Sequence, residues 1–335
     1  MNILIASSVC NDSVQQLRAN NDVICAFDAN QETLCSLVKD RDVIVFRSGV
    51  QINAKVMKCA PNLRLLIRAG SGLDNLDVDY VNRQEITLFR IPEPGAQAVA
   101  ELAFGLMLGL ARQILDADHQ LREGHWTKQV RTGYLLHNKV LGIIGTGNIG
   151  SRVGQMGAAW GMKVVGCVEN ASPEVSHSLE AKGIRLVSFD EVLAESDFVS
   201  THCPLKNSTR GLIDDRALSY CKPTAFLINM ARGGVVDEQA LYRALIGKGG
   251  PAGAALDVHD KEGEGKVSPL ASLPNVILTP HIGATTVDTQ REIGRRIIEY
   301  IASFRTNNNG YSHDDNKGIA DSGNPRHRQQ KAEII

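Results

Sequence analysis

A chain of 335 residues with 43% hydrophobic content is long enough to bury the cores of two domains. Its formal net charge of −1 excludes a general affinity for nucleic acid or for membrane surfaces, so any anion must be met by local arginines and lysines. The seven cysteines are scattered and form no Cys-x-x-Cys pair, which fits the reduced thiols of a cytoplasmic protein; no metal site is expected.

The opening Met1-Asn-Ile-Leu-Ile-Ala-Ser7 reads as a first strand, not as a signal peptide. Over the first hundred residues, strand signals at 2–7, 22–25, 42–46, 63–67 and 86–89 alternate with helical stretches at 12–19, 32–38 and 54–60. That rhythm predicts an open parallel sheet with crossover helices. Arg47-Ser48, Arg68-Ala-Gly70 and Arg90 fall just after strands, where α/β sheets bind ligands. They form a possible anion site, although each alone could be a solvated surface arginine.

Ile91-Pro-Glu-Pro-Gly95 reads as a linker into one long helix over 96–123. The apolar run 98–111 within it is short for a membrane span and contains Glu101, so a buried helix is expected. The βα rhythm returns from 139 to 284, and a final helix over 285–304 would fold back onto the first domain. The expected domains are thus 1–95 with 285–304, and 96–284. The polar segment 305–335 is expected to be disordered or loosely attached.

The middle of the chain carries the most specific pattern. An apolar strand, 140–144, runs into Gly145-Thr-Gly147-Asn148-Ile149-Gly150, then a helical stretch at 151–160 and a second strand at 163–168. In such a unit the first glycine makes the tight turn, the second admits a pyrophosphate to the backbone, and the third lets helix and strand pack closely. The helix N-terminus then offers N–H groups to phosphate. An acidic residue about 20 residues further on reads the ribose hydroxyls. Glu169 stands near that place and no arginine follows in 170–173, so NAD is favoured, with NADP not excluded.

Three later strands end in polar groups: Asn229-Met-Ala-Arg232-Gly-Gly234, Ala255-Leu-Asp257-Val-His-Asp-Lys-Glu262 and Thr279-Pro-His281-Ile-Gly283. Reduction of a 2-oxo acid needs a cation for the carboxylate, an acid for the carbonyl oxygen and a carboxylate to orient that acid. Arg232, His281 and Glu262 supply these types. Singly, each has a plainer use, as loop brace, structural histidine or exposed charge; only their joint occurrence after a dinucleotide unit points to chemistry.

These segments, with Val45-Phe-Arg-Ser48, 65–75, Val99-Ala-Glu101, His202-Cys-Pro204-Leu205 and Asn275-Val-Ile-Leu278, occur in one order over residues 1–303. In them the chain resembles the D-isomer-specific 2-hydroxyacid dehydrogenases, and within that family is most similar to the catalytic part of the phosphoglycerate dehydrogenases. The resemblance implies an α/β protein of two doubly wound parallel-sheet domains, a Rossmann nucleotide domain inserted into a flavodoxin-like substrate domain. It implies His281 as proton donor, Glu262 as its partner and Arg232 as substrate binder. Gly145, Gly147, Asn148, Ile149, Gly150, Glu169, His202, Pro204 and Asp257 would hold the cofactor, Asp257 at the carboxamide. Arg47, Ser48, Arg68 and Gly70 would face the substrate, with Arg90 adding charge, and Lys128 would reach a partner subunit's substrate in a homodimer.

The chain departs from the family at several points. Val168 takes the usual acidic position, leaving Glu169 one residue late. Arg90 replaces an asparagine, Gly263 a proline and Asp288 a glutamate. No C-terminal regulatory domain is recognised, so serine feedback is not expected. The arginines favour a 3-phosphoglycerate-like substrate. The alternatives are glyoxylate, hydroxypyruvate or another 2-oxo acid, phosphonate-bearing ones included, and, from a different class, a non-catalytic NAD-sensing partner protein.

Overall fold

The computed structural model describes residues 1–308 apart from Asp28, Arg131 and Lys248. The described residues form two compact units: residues 1–95 with 285–308, and residues 96–284.

The first unit holds β1 (Asn2–Ile5), β2 (Asp22–Cys25), β3 (Val43–Phe46), β4 (Leu65–Arg68) and β5 (Thr87–Arg90). All pair in parallel in the order β2-β1-β3-β4-β5, the flavodoxin-like order. Near-continuous apolar strands suit a sheet covered on both faces. Ile3, Ile5, Val43, Val45, Leu65 and Ile67 feed one core, and their alternates Leu4, Ile44, Phe46 and Leu66 the other.

The helix Val287–Asn308 belongs to this unit. Its Ile293, Ile297, Ile301 and Phe304 recur at helical spacing and are buried against the first of those cores. At roughly 1.5–3 kcal/mol per buried side chain, this stripe is sufficient to dock the helix. The helix runs four residues past the expected end at Phe304, through part of what was read as polar tail; the rest of that tail lies outside the described residues.

The second unit holds β6 (Val140–Ile144), β7 (Lys163–Cys167), β8 (Ile184–Leu186), β9 (Phe198–Thr201), β10 (Phe226–Asn229), β11 (Gly253–Leu256) and β12 (Val276–Leu278). Their order is β12-β11-β10-β9-β6-β7-β8, the doubly wound Rossmann order with one further strand.

Residues 91–123 depart from expectation. The supposed linker is already helical, because Glu93–Ala111 is one helix and Pro94 sits in its first turn, where a missing N–H costs nothing. This 19-residue helix is also long and apolar enough, by composition, to cross a membrane. Its Ala100, Ala103, Phe104, Met107 and Leu110 are instead buried against Leu141, Ile143, Phe198 and Ile228 of the second unit's sheet. The expected single helix breaks at Gln113, whose φ of 51° is left-handed, and a second helix, Ile114–Arg122, follows. Two short helices were not anticipated: Val78–Arg83, capped by Asp77, and Pro173–Glu180, capped by Ser172.

Candidate active site

Parallel register aligns the strand ends of the second unit. Ile144 pairs with Cys167 and Thr201, Thr201 with Asn229, Asn229 with Leu256 and Leu256 with Leu278. The glycine turn, Glu169, His202, Arg232, Asp257, Glu262 and His281 therefore all leave one rim of one sheet.

On that rim His281 and Glu262, 19 residues apart in sequence, meet. His281 Nδ1 lies 2.9 Å from Glu262 Oε2 and 3.1 Å from Oε1. Burial alone would push the Glu262 carboxyl up. The hydrogen bond and charge of His281, with the N–H and charge of His259, outweigh burial and hold it below the usual carboxylate range. An ionised carboxylate only accepts, so Nδ1 carries the proton, and Nε2 is the ring nitrogen outside the pair.

The histidine is held by its backbone. His281 has φ 54°, an uncommon conformation for a side chain of this size. It persists because Asp257, only 2% exposed, over-determines the turn. The Asp257 Oδ1 accepts from the Thr279 hydroxyl at 2.7 Å and the Ile282 N–H at 2.9 Å, and Oδ2 accepts from the Gly283 N–H at 2.8 Å. The Asp257 carbonyl accepts from the His281 N–H at 2.8 Å. The visible work of Asp257 is thus to shape the His281 turn, a role the sequence did not suggest.

Arg232 follows β10 on a loop braced by Asn229. The Asn229 Oδ1 accepts from the Ala231 N–H at 3.1 Å and the Thr201 hydroxyl at 2.8 Å. Arg232 Nη1 donates to the Ala231 carbonyl at 2.7 Å. The next residue is glycine for a steric reason, since a Cβ on Gly233 would lie 1.8 Å from the His259 carbonyl oxygen. The Arg232 loop is thereby pressed against the loop that carries Glu262. Gly263, with φ 119°, takes a path closed to the proline it replaces.

The glycine turn has the form a dinucleotide needs. Gly145 turns at φ 89°, and a Cβ there would meet the Cys203 N at 2.7 Å. A Cβ on Gly150 would lie 2.0 Å from the Gly145 carbonyl oxygen, so close helix–strand packing requires the third glycine. Gly147 caps the helix Asn148–Ala159 without a side-chain acceptor, and among the described residues no atom beyond its chain neighbours comes within 4 Å of its would-be Cβ. Beside it the buried Thr146 hydroxyl has no partner among the described residues. His202 Nε2 lies 2.8 Å from the Ser200 hydroxyl, and its buried Nδ1 is likewise unpartnered. Burial pushes the His202 imidazole down to about 3, so the ring is neutral. These orphaned polar atoms and the open helix end fit a bound dinucleotide. Glu169 is exposed and engaged by Lys206 at 3.5 Å and by the Ser208 hydroxyl at 3.4 Å. Pro204 offers its carbonyl to the Thr209 hydroxyl at 2.6 Å.

In the first unit, register pairs Phe46 with Arg68 and Arg68 with Arg90, which places Arg47, Arg68 and Arg90 at one sheet end. Arg68 is buried, with Nε donating to the Gly72 carbonyl and the guanidinium 5.7 Å from the Phe46 ring centroid. Burial lowers the Arg47 guanidinium from its usual value. Arg90 Nη2 donates to the Ser71 carbonyl, while its buried Nε has no partner among the described residues. Gly70, at φ 158°, leaves room for the Arg68 guanidinium 2.6 Å from its would-be Cβ. Ser48 is exposed in the turn after β3. Lys128 is exposed in the turn before β6 and belongs to neither strand rim. An open groove is lined by Leu108, Arg112, Ile114, Ala117, Asp118 and Leu121, from the helices Glu93–Ala111 and Ile114–Arg122 and the turn between them.

Because the Glu262 carboxylate is depressed, its pairing stabilises the fold above the ordinary carboxylate pKa, and that contribution is lost as pH falls through the folded value. The expected result is that the melting-temperature gap between wild type and Glu262→Gln is widest near neutrality and closes in acid. A gap independent of pH contradicts the pairing.

Comparison with known proteins gives consistent findings. Residues 104–283 match the family model described as D-isomer specific 2-hydroxyacid dehydrogenase, NAD binding domain. A hydroxypyruvate reductase from Thermotoga maritima is 39% identical over 273 residues, covering 81% of this chain and 87% of that protein. A D-3-phosphoglycerate dehydrogenase from Methanocaldococcus jannaschii is 37% identical over 300 residues, covering 89% of this chain but 56% of that protein. The chain thus spans about half the length of that dehydrogenase. A D-lactate dehydrogenase from Aquifex aeolicus, solved with NAD and lactic acid, superposes with a TM-score of 0.78 at 29% identity, covering 91% of this chain and 96% of that one.

Proposed function

We propose, from the premise that this chain belongs to the D-isomer specific 2-hydroxyacid dehydrogenase family, that it interconverts a small anionic 2-oxo acid and its 2-hydroxy acid. Members are nicotinamide-dependent oxidoreductases acting on CH–OH donors. The observation that carries the reading is the His281–Glu262 pair, held on the same sheet rim as Arg232 and the glycine turn.

When bound, the nicotinamide supplies or accepts the hydride. The protein's part is electrostatic and acid–base. Arg232 grips the substrate carboxylate with two parallel N–H donors, a geometry a lysine cannot reproduce. His281 presents Nε2–H to the carbonyl oxygen and gives up that proton as negative charge develops there; in the reverse direction it removes the hydroxyl proton. Glu262 fixes the ring through Nδ1–H and stabilises its charged form. Gly145, Gly147, Asn148, Ile149 and Gly150 are the residues that would hold the pyrophosphate, with Thr146, His202 and Pro204 beside them. Glu169 near the end of β7 favours NAD over NADP.

For the substrate, the arginines of the first unit favour a second anionic group, as in 3-phosphoglycerate. The Thermotoga maritima relative, matched over most of its length, supports hydroxypyruvate as the second reading. The test is a panel of 2-oxo acids (3-phosphohydroxypyruvate, hydroxypyruvate, glyoxylate, pyruvate) with NADH and NADPH. Faster turnover of the phosphorylated acid, lost selectively in Arg47→Ala/Arg68→Ala, is the expected result. Equal losses on all substrates overturn the second-anion reading. No turnover of any would favour a nicotinamide-sensing role.

A homodimer through the second unit is part of the same reading. No residue of the helix Ile114–Arg122 is buried, although Ile114, Leu115 and Leu121 are apolar. The following segment adds Trp126 at 78% and Val130 at 81% exposure. Contiguous apolar exposure of this kind marks an interface. Leu121→Asp/Trp126→Asp is expected to convert a dimer, measured by light scattering, to monomer; a wild-type monomer sinks the proposal. Seven free cysteines support a cytoplasmic setting.

A further inference from the structure

A second imidazole stands behind the His281–Glu262 pair. His259 lies two residues past Asp257, on the loop that leads to Glu262, and is mostly buried, its side chain 15% exposed. Its ring Nε2 is 2.9 Å from the carbonyl oxygen of Thr279. A carbonyl can only accept, so Nε2 carries the proton and donates it. Thr279 precedes His281 by two residues, and its carbonyl also accepts from the His281 N–H at 3.0 Å. The same oxygen therefore ties the His259 ring to the strained backbone that aims the proton donor.

His259 touches the two other functional loops as well. Its backbone N–H donates to Glu262 Oε1 at 3.3 Å. Its carbonyl oxygen is what a side chain at Gly233 would strike, so the Arg232 loop rests on it. Behind the ring, Nδ1 is buried with no hydrogen-bond partner among the described residues and lies 4.0 Å from Glu238 Oε1. Glu238 is only 3% exposed. Its two oxygens accept from the Asp260 N–H at 2.7 Å and the Ser268 hydroxyl at 2.6 Å, which pins the loop on the far side of His259.

We infer that His259 is a positioning residue for the reaction: its Nε2–H bond to the Thr279 carbonyl, backed by buried Glu238, sets the orientation of the His281–Glu262 pair. The inference rests on the catalytic reading of His281 and Glu262. It acts through the ring of a residue that does not itself touch substrate. A ring that merely filled space would be replaceable by any residue of similar shape; a ring that positions by donation would not.

The test compares His259→Phe, which keeps the shape and removes the donor, with His259→Gln, whose amide N–H₂ can reach the same carbonyl. With hydroxypyruvate and NADH, His259→Phe is expected to lose about tenfold in kcat, the cost of one well-placed hydrogen bond. KM for NADH should stay within about twofold, and His259→Gln should recover most of the rate. Wild-type kcat in His259→Phe, or equal losses in the two variants, overturns the inference. A second readout needs no turnover: the His281 imidazole titration, followed by NMR in the full chain. It should shift in His259→Phe and return toward wild type in His259→Gln. An unmoved titration overturns the positioning role. If the wild type reduces no 2-oxo acid, the functional reading fails by itself, and the titration still decides the role of His259.

Discussion

Replacing His281 by alanine is expected to cut turnover by about 10²–10⁴-fold, the usual contribution of a positioned general acid, while NADH binding survives. The separation follows from the structure. The imidazole contacts Glu262 and lies 28% exposed, whereas the turn that carries it is held by Asp257 through backbone groups that alanine retains. Loss of the ring therefore removes the acid without dismantling the rim. Glu262→Gln should cost less, since an amide oxygen still accepts from Nδ1–H but no longer stabilises the charged ring. Binding of NADH, followed by fluorescence, is the control. Unchanged turnover in His281→Ala would take the histidine out of the reaction, and lost NADH binding would mean that the turn, not the acid, had been damaged.

Gly233→Ala is expected to be nearly as damaging, and for a different reason. The added methyl would sit 1.8 Å from the His259 oxygen and 2.5 Å from its carbonyl carbon. Both are backbone atoms, so neither can swing aside as a flexible side chain would. Either the Arg232 loop or the 257–262 loop must move, and each carries part of the site. Overpacking of this kind typically costs about 1–3 kcal/mol of stability. A displacement of about 1 Å at a catalytic group can cost about 10²-fold in rate. Lower melting temperature together with at least tenfold slower turnover is the expected pair of results. Normal activity would show that the Arg232 loop does not depend on its contact with His259.

The parts of this molecule that were legible in the sequence are those written as periodic patterns. Val43–Phe46, Leu65–Arg68 and Phe226–Asn229 announce themselves as short apolar runs ending in polar groups, which is what a buried parallel strand must look like. The glycine turn was legible because each glycine answers a separate steric demand at Gly145 and Gly150. Ser172-Pro173 carries a readable helix start as well, an N-cap followed by an N1 proline. The break at Gln113 was not readable. Ala111-Arg-Gln-Ile114 contains no glycine or proline, and a left-handed glutamine leaves no mark in composition. The proline-flanked start at Glu93 misled because proline ends helices from inside but tolerates their first turn.

At the site, residue types could be read but their supports could not. Arg232, Glu262 and His281 stand out as chemically apt groups after strands. The work of Asn229, Asp257, Glu238 and His259 lies in hydrogen bonds to backbone atoms 2 to 26 residues away in sequence, and no spacing rule encodes such bonds. The Asp257 carboxylate shows the difference well. The resemblance implies a cofactor contact for it; beside that expectation, its three bonds shape the turn that carries His281, which no sequence pattern announces.

The most direct measurement is the fate of the label when NADH deuterated at C4 of the nicotinamide is incubated with the protein and hydroxypyruvate or 3-phosphohydroxypyruvate. Transfer of deuterium to C2 of a D-configured 2-hydroxy acid, seen by mass spectrometry and abolished in His281→Ala, is the result this account requires. Deuterium retained in the cofactor with every 2-oxo acid offered, from a protein that still binds NADH, would contradict it.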